Sequence, residues 1–162
     1  AMAVTGVGIL SQPLEKIAEL IANVGAFQTW VDADDASEAK ESIFLCGLES
    51  GESARPFVAV HLHEFKSVAI GGGGGSTFSD TGSAMLVFEN TIDETNSESI
   101  QDAFLSFLND VGAVINGMKN LSNVNAYLPI RSISKHSGPS CASDAEANVS
   151  ENYIQIAFIL EW

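Results

Sequence analysis

The sequence predicts an α+β fold, an antiparallel or mixed sheet of about four to five strands packed by helices and carrying a long hairpin arm. Two amphipathic stretches, "SQPLEKIAELIANVG" and "ESIQDAFLSFLNDVGAVINGMKNL", repeat apolar residues at helical spacing. Four β-rich stretches, "RPFVAVHLHEF", "SAMLVFEN", "YLPIRSIS" and "NYIQIAFILEW", flank the longer helix instead of alternating with helices one for one. A chain of 162 residues, 46% hydrophobic and 17% charged, is expected to form one domain, 1–162, with a sizeable core.

In the first helix Ser11 is placed to N-cap, Pro13 falls in the first turn, and Leu14, Ile17, Ala18, Ile21 and Val24 form one stripe. Gly25 is expected to stop it. Asp35 or Ser37 then caps a shorter helix reaching about Phe44. Pro56 suits only the start or edge of the strand that follows. Asn96 or Ser97 caps the longest helix, whose stripe of Phe104, Phe107, Leu108, Val111, Val114, Ile115 and Met118 is core-facing. In the last strand Ile154, Ile156, Phe158 and Leu160 share one face. The other face, Tyr153, Gln155, Ala157 and Ile159, is half apolar, so this strand belongs inside the sheet. The polar stretch "KHSGPSCASDAEANVSE" reads as its connection to the strand before.

Between the first two strands lies "IGGGGGST", five glycines in a row from Gly71 to Gly75. No Lys-Ser/Thr follows and no helix opens there, so neither a phosphate-binding P-loop nor a dinucleotide-binding fingerprint is met. Glycine carries the largest backbone entropy, which makes the segment from about Val68 to Gly82 an arm expected to be flexible. A permissive solvent loop and a contact arm that orders on assembly are both open. The contact residues, on the second reading, are Gly71, Gly72, Gly73, Gly74, Gly75, Ser76, Phe78 and Asp80.

The net charge is −14, from 21 acids and 7 bases, and no Lys or Arg occurs between Lys66 and Lys119. Such a field disfavours nucleic-acid binding, although it suits a surface that DNA must pass without sticking. Two cysteines, Cys46 and Cys141, with no CxxC spacing, suit a reducing compartment. No apolar run is long enough for a membrane helix, and the first ten residues lack a basic signal-peptide start.

His61 and His63, two apart on a strand, would point their rings to one face with Glu64 on the other, half of a metal site at most. Cys46 and Cys141 have no local nucleophile signature, and no G-x-S-x-G elbow occurs. The paired acids Asp34 and Asp35 stand before a helix, where its dipole favours negative charge. No catalytic residue, metal or cofactor is therefore expected.

Taken in order, "PLEKIAELIANVGAFQTW", "EAKESIFL…RPFVAVHL", the arm before "GSAMLVFEN", "DAFLSFLNDVGAVINGM" and "YLPIRSIS…SGP" resemble the tail-terminator, or tail-completion, proteins of long-tailed bacteriophages. The resemblance covers most of the chain and rests on element order and hydrophobic pattern. It implies a small α+β domain that assembles as a homo-oligomeric, hexameric ring in the virion neck, built in the host cytoplasm. Such a ring ends tail-tube growth, and its partners are the tail-tube protein and the head–tail connector. It implies no catalytic residues. The family's arm need not be glycine-rich, and there this chain departs from it. A head–tail joining or minor tail protein of similar fold, or a small metal- or ligand-binding domain using His61 and His63, are the alternatives.

Overall fold

The apolar stripes become helices where their periodicity asks for them. The computed structural model describes residues 8–45, 56–71, 77–92, 97–122, 128–144 and 151–162. Helix α1, Ser11–Ala22, buries Ile17, Ala18, Leu20 and Ile21. Ser11 is its first residue instead of its cap, and its Oγ accepts the Gly8 N–H at 3.1 Å. Gly25 does not stop the helix. The break comes at Asn23 and Val24, where Val24 turns extended, and Gly25 opens α2, Gly25–Trp30. Gly25 is not in the left-handed region that makes glycine a terminator.

Asp35 caps α3, Ala36–Ala39: its Oδ1 accepts the Glu38 N–H at 2.9 Å, while Glu38 Oε2 accepts the Asp34 N–H at 2.7 Å. The Asp34–Asp35 pair is thus held in a near-capping-box arrangement. The helix expected to reach Phe44 ends early in a 3-10 turn, Lys40–Ser42. Ile43 and Phe44 become a short strand, β1, because two β-forming side chains bury more by pairing with Val58 and Ala59.

The long elements follow as β2 (Phe57–Ile70), β3 (Thr77–Ile92), α4 (Ser97–Ser122), β4 (Ser132–Asp144) and β5 (Glu151–Glu161). They form one five-stranded sheet in the order β1-β2-β3-β5-β4, antiparallel except for β1 against β2. Pro56 stands just before β2, where its missing N–H costs no ladder bond. β5 lies inside the sheet, as its two apolar faces require. The strand expected over "YLPIRSIS" begins only at Ser132, and the polar stretch after Ser134 is strand through Asp144 instead of a loop. Among the described residues β4 pairs with β5 alone, and this edge position, with register shifts at Lys135/Ser137 and Ser137/Ser140, lets it carry Gly138, Pro139 and serines.

Register places Val58, Phe88 and Ile156 in one row and Val60 and Leu86 in the next, on the face under the helices. These join Ile17, Ile21, Val111, Val114 and Met118 in the main core. Trp30 is its aromatic hub, with ring centroids 6.0 Å from Phe27 and Phe88 and 6.2 Å from Phe107. At such spacing tilted aromatic pairs add about 1 kcal/mol each beyond burial. The opposite face buries Phe57, Ala59 and Ala157, and Phe44 packs edge-on against Phe57 at 5.4 Å.

Candidate functional site

β2 and β3 outgrow the sheet that they help to build. Among the described residues β5 pairs with β3 from Ser83 to Ile92, and β1 pairs with β2 only at Val58 and Ala59. The two long strands continue past those neighbours through Lys66↔Thr81, Ser67↔Asp80, Val68↔Ser79, Ala69↔Phe78 and Ile70↔Thr77. Along this stretch each strand pairs only with the other among the described residues, so a two-stranded ribbon projects with both edges unpaired.

The root of the ribbon is fixed by Gly82. Its N–H and C=O meet the backbone of Trp162, and a Cβ there would collide with the Trp162 indole and stand 2.8 Å from the Glu64 carbonyl oxygen. Only a glycine lets the strands leave the sheet beneath that ring. At the far end Gly71 has φ +94°, a backbone shape that side chains rarely adopt. Gly72, Gly73, Gly74, Gly75 and Ser76 lie outside the described residues. The arm expected between Val68 and Gly82 as an irregular connection is therefore regular ladder through Ile70 and Thr77. Its Val, Ile and Thr residues hold β geometry without burial.

The ribbon exposes apolar side chains on both faces. Val68 and Ile70, 44% and 54% exposed, lie on one face, and Phe78, 56% exposed, lies opposite them beside Ala69. Asp80, among the expected contact residues, accepts a hydrogen bond from Ser67 Oγ at 2.6 Å across the ribbon. Phe78 and Asp80 thus share the face with Ala69 and Ser67. Val68 and Ile70 lie within the expected arm but outside its expected contact residues. Their period-two spacing in "SVAI" is the signal that marks them.

At the root lies an open hollow of about 420 Å³, lined by Glu64, Lys66, Ser83, Arg131 and Glu161 among others. Ser83 is 4% exposed, and its Oγ has no hydrogen-bond partner among the described residues. The hollow mixes two cations with two carboxylates and offers polar contacts beside an apolar ribbon.

The histidine expectation changes. A bulge between Leu62 and Glu64 shifts the strand's phase, so His61 pairs with Met85 and Glu64 with Ser83. Glu64 therefore falls in line with His61 instead of opposite it. The His63 ring comes within 6.0 Å of His136, which sits at a matching irregularity of β4. Sequence separation hid that pair. Among the described residues no three His, Cys, Asp or Glu side chains gather as metal ligands. None of the described helices is long and apolar enough to cross a membrane.

No protein-family model matches the chain, and no curated protein matches it either.

Proposed function

We propose that this chain is a structural virion protein that forms a homo-oligomeric ring at the head-proximal end of a phage tail tube. The ring, hexameric as in the resembled family, ends tube growth and joins the tail to the head connector in the neck. The single observation that supports this best is the projecting ribbon. A two-stranded hairpin alone is marginal in water, and unpaired strand edges are templates for another chain. A ribbon with exposed Val68, Ile70 and Phe78 gains stability when a neighbour covers it.

The fold keeps a long hairpin ahead of the long helix, the order of segments on which the resemblance rests. The charge of −14 fits a lumen through which DNA passes without adhering. The chain acts by assembly and needs neither catalysis nor a cofactor. The test is to polymerise the cognate tail-tube protein with and without the purified chain and measure tube lengths by electron microscopy. Capped tubes of uniform length are expected. Tubes that keep growing, with no added density at either end, would overturn the reading.

A further inference from the structure

A second apolar feature lies at the other end of the same sheet. Phe104 and Leu105 on α4 and Cys141 on β4 line a groove of about 500 Å³, with Gln101 at its edge. Leu105 is 59% exposed, because it falls off the core-facing stripe that holds Phe107 and Val111. Cys141 is also exposed, and it pairs with Ile154, which in turn pairs with Asn90 of β3. The groove therefore sits level with Asn90, whereas the ribbon ends at Thr77 of the same strand. Thirteen strand residues separate the two levels, roughly 40 Å at about 3.4 Å per residue. One copy cannot fold its own ribbon into its own groove.

We infer that the groove formed by Phe104, Leu105 and Cys141 receives the ribbon of a second copy of this chain, with Phe78 as the anchoring side chain. The inference rests on the assembly reading and names its contact. An aromatic anchor in an apolar pocket is the usual centre of a protein interface.

Charge favours the same occupant. Two copies of a chain of net charge −14 repel over most of their surface. The described ribbon, Phe65 to Gly71 and Thr77 to Gly82, carries only Lys66 and Asp80 and is neutral, and the four described residues that line the groove carry no charge. Ribbon and groove are thus surfaces that like-charged copies can bring together.

The contact joins different surfaces of the two copies, so it repeats head to tail and closes into a ring when the rotation allows. The exposed residues 66–71 and 77–80 are fewer than the 20–30 a side of a stable interface, which makes one such contact weak. Closure gives each copy two contacts, and the ring persists where an open dimer does not.

The test uses cysteine cross-linking in the Cys46→Ser background, which leaves Cys141 as the native thiol. Ala69→Cys is added on the ribbon face of Phe78, so the anchor itself is kept. A short bismaleimide at high protein concentration should give a ladder of covalent dimers, trimers and larger species. The ladder should vanish in Cys141→Ser and fall roughly tenfold in Phe78→Ser. A dimer that survives Cys141→Ser would show ribbon against ribbon and overturn the inference. Light scattering on the unaltered chain separates this from the assembly reading. A chain that assembles without cross-linking refutes the ribbon-in-groove contact and leaves the ring reading standing. Absence of both refutes the contact in the isolated chain, and the ring reading is then decided by tube capping.

Discussion

The two halves of one hairpin make the sharpest contrast in this molecule. Phe57 to Val60 of β2, against Leu86 to Glu89 of β3, lie almost wholly buried between β1 and β5. Ser67 to Ile70, against Thr77 to Asp80, keep the same ladder with every residue exposed. Strand geometry is common to both, and what changes is the company. The inner half has a core that pays its ordering entropy, while the outer half, among the described residues, has only the backbone ladder, the Ser67–Asp80 hydrogen bond and its β-branched residues. The inner half is built for folding, and the outer half is left for a partner.

The largest expected effect breaks the inner half. Phe107→Ala removes one wall of the Trp30 cluster and should cost about 3–5 kcal/mol. For a domain of this size that lowers the melting temperature by roughly 10 °C. A thermal melt within 2 °C of the parent would show that the aromatic hub is not a stabilising centre.

Next comes the boundary between the halves. Gly82→Val forces a side chain against the Trp162 indole and the Glu64 carbonyl and should cost about 1–3 kcal/mol. Circular dichroism melting reads the loss, and an unchanged midpoint would mean that the ribbon root yields freely. Asp35→Ala removes the α3 cap, remote from the hairpin, and sets the scale at about 1 kcal/mol by urea unfolding. A midpoint equal to the parent's would make that cap ornamental.

The smallest effect belongs to the outer half. Val68→Ser with Phe78→Ser should change stability by no more than about 0.5 kcal/mol, because exposed side chains lose little on replacement. A drop comparable to that of Phe107→Ala, measured by the same melt, would show that the ribbon supports the fold and would erase the contrast.

These contrasts also explain what could be read from residues alone. The α1 and α4 stripes are legible because a helix facing a core repeats at 3.6 residues, and Ile17, Ile21, Val111 and Met118 are buried as that period requires. The place of β5 follows from its two apolar faces. Only the start of β4 is legible, in "YLPIRSIS"; the rest is not, since an edge strand with bulges tolerates Gly138, Pro139 and serines and shows no alternation. From Val68 to Gly82 the sequence reads as a flexible arm because exposure removes the polar-apolar contrast that usually marks a strand, although Val68, Ile70 and Thr77 still favour β geometry. The His63–His136 approach and the groove of Phe104, Leu105 and Cys141 depend on elements distant in sequence, and no local pattern could join them.

The decisive measurement is incorporation of the Val68→Ser, Phe78→Ser chain into tails, in direct competition with the parent chain. A folded variant that is excluded by roughly tenfold or more is the predicted result. Equal incorporation of the two chains would contradict the assignment of the ribbon to assembly.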